Sequence, residues 1–148
     1  MPGFIDFFTG FESQAFQLPN AGGVSGLSSQ VISGWAWWML VSAECNIDNT
    51  AGAVPANPQC AIQYGNLEVC RSFTNLSVTN GQRELISWGH GLVGVGLANV
   101  GRCAGLPFLP IIGEGLVRLG FSGGDVNTSS SAVVILIIGR RYKNRGPA

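Results

Sequence analysis

Charged residues are scarce in this chain. Asp, Glu, Lys and Arg make up 11% of its 148 residues, whereas an average soluble domain contains about 25%. Lysine occurs once, as Lys143, and histidine once, as His90. A folded surface with so few charges is poorly protected against association, so we expect other subunits to cover part of it. A membrane could cover this surface instead, but we favour this alternative less.

The motifs of common enzyme chemistry are also missing. The sequence contains no G-x-S-x-G elbow, no H-E-x-x-H helix and no G-x-x-x-x-G-K-[ST] phosphate loop. In GVGLANVG, four residues separate the last two glycines, where the dinucleotide fingerprint has two. We therefore expect a non-enzymatic protein with no catalytic residue and no cofactor.

His90 is the one residue that keeps a catalytic alternative open. It could form a triad with a serine or Cys103 as nucleophile and with Glu84 or Asp125 as acid. Its place between Gly89 and Gly91 is more typical of a hydrogen-bonded turn residue.

Export and membrane signals are lacking too. No positively charged N-terminal region precedes an apolar run and a cleavage site, so the sequence predicts no signal peptide and synthesis in the cytoplasm. No run approaches the ~18 consecutive apolar residues that a membrane-spanning helix needs. The longest dense run, Ala132 to Ile138, has the length of a strand.

Four cysteines are present, and none of them forms the Cys-x-x-Cys pair that is typical of zinc sites. We therefore expect no metal site. A disulfide between Cys45 and Cys60 would close a polar, proline-containing loop. Four free thiols are the alternative, in keeping with the missing export signal.

Glycine and β-branched residues are abundant in the chain. Its 22 glycines are spread along the whole sequence, which predicts many turns between short strands and little helix. AVVILII, residues 132–138, is the clearest strand. The alternation in 67–78 predicts a second strand, after which the chain reverses at Asn80-Gly81 to form a hairpin. The apolar segment 30–44 predicts a strand buried on both faces, and composition predicts loops over 18–29 and 122–131.

These patterns favour a mainly antiparallel β-sandwich or barrel-like body with extended N- and C-terminal arms. We divide the chain into an N-terminal arm and loop (1–29), a β-rich body (30–139) and a basic C-terminal tail (140–148).

Both terminal segments contain candidate contacts with a partner. In the N-terminal segment four phenylalanines lie at the spacing of one helical face, although an extended arm that inserts its rings into pockets is an equal alternative: Phe4, Phe7, Phe8 and Phe11. These rings could also complete the protein's own core. Half of the basic residues lie in the tail, where they could bind an acidic neighbouring surface or remain solvated: Arg140, Arg141, Lys143 and Arg145.

Two classes of function fit this pattern. The first is a structural assembly protein, specifically a virion capsid or decoration (cement) subunit that forms homo-oligomers with neighbouring shell subunits through its arms and resides in the assembled particle. The second is a lectin-like domain that stacks sugars on exposed tryptophans: Trp35, Trp37, Trp38 and Trp88. A membrane-associated subunit is a third hypothesis. A tail of four basic residues without a basic body argues against nucleic acid as the partner.

Overall fold

A computed structural model describes residues 11–33, 37–73, 77–90, 96–97, 101–106 and 110–139. Within these ranges the chain forms eleven strands and no helix. The strands are β1 Phe11–Gly22, β2 Ser25–Ile32, β3 Trp37–Asn49, β4 Ala56–Tyr64, β5 Leu67–Phe73, β6 Gln82–Gly89, β7 Gly96–Leu97, β8 Gly101–Gly105, β9 Ile111–Ile112, β10 Gly115–Gly123 and β11 Ser129–Gly139.

The strands form two sheets that pack face to face. Sheet A has the order β1-β11-β3-β6-β8-β7, and β9 pairs with the start of β3. Sheet B has the order β2-β10-β4-β5. All pairs are antiparallel except β6 with β8. The predicted fold class, a mainly antiparallel β-sandwich, is confirmed.

The core lies between the sheets, where alternate residues of each strand point inward. In β11 the even positions Ala132, Val134, Leu136 and Ile138 are buried. The facing side chains of sheet B include Val117, Leu119 and Phe121, all with no exposed surface. Truncating a side chain of this kind to Ala typically costs ~2–5 kcal/mol. The apolar side chains that are buried between the sheets therefore determine which face of each strand points inward.

The predicted strand over 132–138 is confirmed within β11, which lies in the interior of sheet A between β1 and β3. Its odd positions form part of the outer face, where Val133 and Ile137 are half-buried and Ile135 is 37% exposed. The run is thus apolar on both faces, but only one of them faces the core.

Two of the predicted elements, one loop and one strand, are wrong. The loop expected over 18–29 is occupied by the end of β1 and by β2, and the arm boundary placed at residue 29 falls inside β2. The single strand expected over 30–44 is divided between β2 in sheet B and β3 in sheet A. Small polar residues suit a loop, but here the pairing of β1 with β11 and of β2 with β10 overrides that local preference.

The hairpin predicted at Asn80-Gly81 is wrong in its pairing. A turn does form there, with Gly81 at a φ of 81°. The strands on its two sides belong to different sheets, because β5 pairs with β4 and β6 pairs with β3. The turn residues therefore predicted the reversal of the chain but not the partner of each strand.

Candidate functional site

The two ends of the described chain meet at one end of sheet A. Phe11, the first residue of β1, is the register partner of Gly139, the last residue of β11. Segments 1–10 and 140–148 are therefore attached at neighbouring points. The candidate contacts Phe4, Phe7, Phe8, Arg140, Arg141, Lys143 and Arg145 lie outside the described residues, and only the backbone of Phe11 is described.

The same end of the sandwich exposes a group of large apolar side chains. Ile112 pairs with Trp37, which also pairs with Gly139, so Ile112 lies close to the attachment of both segments. The chain then turns into β10, whose first residue Gly115 is the partner of Tyr64. The apolar end patch, as we name this group, consists of Val31 at 63%, Tyr64 at 51%, Leu67 at 65% and Ile112 at 76% exposure.

Trp38 supports the turn that carries Ile112. Its indole Nε1 donates a hydrogen bond to the carbonyl oxygen of Gly113 at 3.2 Å. A Cβ at Gly115 would overlap the same ring, so only glycine fits there. Because Trp38 is completely buried, the turn rests on a rigid part of the core.

The other candidate tryptophans differ in their exposure. Trp88 is completely buried, Trp37 is half-buried, and Trp35 lies outside the described residues. Sugar stacking needs an exposed ring face, so Trp38 and Trp88 do not provide the platforms that the lectin-like hypothesis requires.

A second exposed feature is β5, at the edge of sheet B. Glu68 and Arg71 form an ion pair along this strand, in which the Arg71 Nε donates to Glu68 Oε1 at 2.7 Å. The Arg71 side chain also donates to Gln59 Oε1 at 2.8 Å. The hydrogen bonds from Arg71 lower the pKa of Glu68. Arg71 is therefore held flat against the outer face of sheet B.

The outer face of sheet A contains a polar cleft of about 300 Å³. Its lining residues are all polar: Asn20, Asn46, Asp48, Arg83, Ser129, Ser130 and Ser131. Hydrogen bonds from Thr50, followed by those from Arg83, lower the pKa of Asp48 to about 2. The positive charge of Arg83 is matched by Asp48, so the cleft has no excess of either charge.

The loops at the opposite end of the sandwich are connected by hydrogen bonds, some of them buried. Asn49 has no exposed surface, and its Nδ2 donates to the carbonyl oxygens of Val54 and Val78. Asp125 accepts hydrogen bonds from the backbone of Ala53 and Asn127, which lower its pKa. These bonds hold the loop before β4, the segment before β6 and the loop before β11 in one arrangement.

His90 occupies a gap in the edge of β3. β6 pairs with this edge from Ser42 onward, and β9 pairs with Trp37 and Trp38. Between them, the His90 Nε2 lies 2.8 Å from the carbonyl oxygen of Leu40, and its Nδ1 lies 3.1 Å from that of Leu106. Both ring nitrogens contact backbone oxygens, as those of a structural turn residue would.

The four cysteines are free thiols, so the Cys45–Cys60 disulfide is not formed. Cys45 and Cys60 belong to the core, whereas Cys70 and Cys103 are partly exposed. Burial raises the pKa of Cys45 to about 12, and it also raises that of Cys60. Among the residues that the structure describes, no three His, Cys, Asp or Glu side chains are grouped as metal ligands, and no helix is long and apolar enough to span a membrane.

Comparisons with known proteins place the chain in no family. No family model and no curated protein matches it. Among solved structures it is similar to the Gx strain of infectious bursal disease virus, at 12% identity and a TM-score of 0.43, over 88% of this chain and 32% of that one. The VP2 subviral particle of the same virus matches at 14% identity and a TM-score of 0.42, over 90% and 33%.

A virus-like particle of the Macrobrachium rosenbergii extra small virus matches at 8% identity and a TM-score of 0.31, over 85% of this chain and 77% of that one. The chain spans about a third of the length of the two bursal disease virus structures.

Proposed function

We propose that this protein is a non-enzymatic structural subunit that self-associates, specifically a capsid or decoration subunit of a virus particle. The observation that carries the proposal is the apolar end patch, which lies beside the points where segments 1–10 and 140–148 are attached. One end of the sandwich thus combines exposed apolar surface with both candidate arms.

The composition of the patch favours burial in an assembly. Complete burial of a Val, Leu or Ile side chain contributes ~1.5–3 kcal/mol, and each member of the patch is at least half exposed. A partner surface that covered the four side chains would therefore gain several such contributions. Few charges oppose this, because the whole chain has only eight acidic and eight basic residues.

The arms extend the proposed contact. The tail 140–148 contains four basic residues, whereas residues 1–139 contain four basic and eight acidic ones. The tail of one copy is thus complementary in charge to the body of another. Segment 1–10 is attached at the same end, and its phenylalanines would add apolar side chains to the contact.

The solution mass of the full chain, measured by light scattering across a range of concentrations, tests the proposal. It should be compared with that of a version without residues 1–10 and 140–148. The deletion must stop at residue 10, because residues 11–22 form β1 and its loss would expose β11. An oligomer or particle that dissociates on truncation supports the proposal, and a full chain that stays monomeric contradicts it.

Point variants test the patch separately from the arms. Ile112→Asp introduces a charge at a position that is 76% exposed, so the monomer should still fold while the assembly dissociates. Val126→Asp is the matched control, because Val126 is 80% exposed in the loop before β11, at the opposite end. Equal effects of the two substitutions on the mass would rule out a specific role of the patch.

A further inference from the structure

β5 is an edge strand on the described part of sheet B. β4 pairs with one side of it, and no strand in the described ranges pairs with the other. An edge strand presents a row of backbone N–H and C=O groups that can pair with another chain. Leu67 at 65% and Val69 at 39% exposure add apolar surface to this edge.

The register of β5 contains a bulge. Cys70 is opposite Ile62 and Glu68 is opposite Gln63, so Val69 is an extra residue with no partner of its own. In a regular strand, residues three positions apart point to opposite faces. The bulge places Glu68 and Arg71 on the same face, and for this reason they can form their ion pair.

We propose that β5 pairs with β5 of a second copy of this chain, antiparallel about a two-fold axis that passes between Val69 and Cys70. In this register Glu68 lies opposite Arg71 of the second copy, and Arg71 lies opposite its Glu68. Sheet B then continues from one copy into the next. The interface is the same surface on both subunits, as a two-fold axis requires.

The charges select this register over its neighbours. Directly opposite residues of an antiparallel pair share a face, and the bulge satisfies that condition for Glu68 and Arg71. A two-fold axis through Arg71 would place two arginines opposite each other, and one through Glu68 would place two glutamates together. Only the axis between Val69 and Cys70 brings each charge opposite the other sign.

This inference rests on the proposed self-association and names one surface through which it occurs. β5 has seven residues, which is too short to bury alone the ~1,200–2,000 Å² of a stable interface. Leu67 belongs to both the apolar end patch and β5. The edge therefore sets the orientation of two copies, and Leu67 is the member of the patch that lies within this pairing, while Val31 and Ile112 lie on other strands and remain available for other contacts of the assembly.

Charge reversal in the full chain tests the pairing. Glu68→Arg alone gives a copy with two positive charges on the edge, and Arg71→Glu alone gives a copy with two negative charges. Each variant by itself should associate roughly tenfold more weakly than the natural chain, because two opposite-charge pairs become two like-charge pairs. An equimolar mixture of the variants should restore association, since every positive residue then meets a negative one in the other copy.

The mixture separates pairing between copies from the ion pair within one chain. Both variants lose the internal ion pair, and mixing cannot restore it. Near-ultraviolet circular dichroism checks that each variant is folded. The matched controls are Asp48→Arg and Arg83→Asp, which reverse an exposed ion pair away from this edge and should leave the association unchanged.

Each outcome decides the question. Restored association in the mixture supports the β5 pairing. If the natural chain assembles and both variants assemble equally well, the pairing is overturned while the proposed function stands, and the bulge and its charges then serve to block edge pairing. If both variants weaken association but the mixture does not restore it, the register is overturned. A natural chain that stays monomeric overturns both proposals.

Discussion

Thr128 donates a hydrogen bond from its Oγ1 to the Oδ1 of Asn49 at 2.7 Å, with both side chains buried. This bond joins the last residue of β3 to the residue that precedes β11. Since the Nδ2 of Asn49 already donates to two carbonyl oxygens, the amide uses its donor and acceptor groups within the protein. A fully satisfied buried group of this kind fixes one arrangement of the loops around it.

Thr128→Val should destabilise the protein by about 1–3 kcal/mol, because it leaves the buried Asn49 Oδ1 without its donor. The substitution keeps the shape of the side chain and removes only the hydroxyl group. Urea unfolding followed by circular dichroism gives the change. Thr50→Val, at an exposed position whose hydroxyl bonds Asp48, is the control and should change stability by about 0.5 kcal/mol or less.

Thiol labelling should divide the cysteines into two classes. Cys45 and Cys60 are buried, with raised pKa values, and should not react with a thiol reagent at pH 8 while the protein is folded. Cys70 and Cys103 are partly exposed and should react slowly. A Cys70→Ser variant should lose one slowly reacting thiol, whereas rapid labelling of all four in the native state would contradict the described core.

Acid should remove the contribution of Asp48 to stability. Its folded pKa of about 2 lies below the unfolded value of about 3.9. The contribution is therefore fully present above the unfolded pKa and is lost as the pH falls from about 4 through the folded value of about 2. Because Asp48 is near the surface, we expect it to be worth no more than ~1 kcal/mol.

Urea unfolding of the natural chain and of Asp48→Asn, from pH 7 to pH 2, measures this contribution. The two stability curves should differ by a constant amount above pH 5 and converge below pH 4. A difference that is as large at pH 2 as at pH 7 would mean that the substitution acts through something other than the charge.

Trp38→Phe should destabilise the protein by about 1–3 kcal/mol, since it removes the hydrogen bond to Gly113 and part of a buried ring. It should also weaken self-association, because the turn that it supports carries Ile112. Unfolding and light scattering on the same sample measure both effects. Trp88→Phe is the control: Trp88 is equally buried but pairs with Ala43, away from this turn, so its substitution should lower stability without weakening self-association.

Local sequence patterns predicted the type of element better than its partners. The seven apolar residues of 132–138 predict a strand because β-branched side chains fit a pleated surface, and β11 bears this out. Ile32 and Trp37 are five positions apart but lie in different sheets. The choice between sheets depends on which distant strand buries each face, and no local pattern contains that information.

The apolar end patch could not be predicted from the sequence for a related reason. Val31, Tyr64, Leu67 and Ile112 come from four separate parts of the chain, and strand register alone brings them to the same end of the sandwich. The ion pair between Glu68 and Arg71 could not be predicted either, because a three-residue spacing in a regular strand places the two side chains on opposite faces. Only the bulge at Val69, visible in the register with β4, brings the two charges together.

The pairing of Phe11 with Gly139 also determines when this domain can fold during translation. β1 leaves the ribosome before its partner β11, which is made only after the residues between them; this takes roughly 5–20 s at common elongation rates. Until then sheet A lacks a central strand, and the facing edges of β1 and β3 stay open. A fold with many long-range strand pairs forms slowly, so the nascent chain exposes these unpaired edges to other chains throughout that interval.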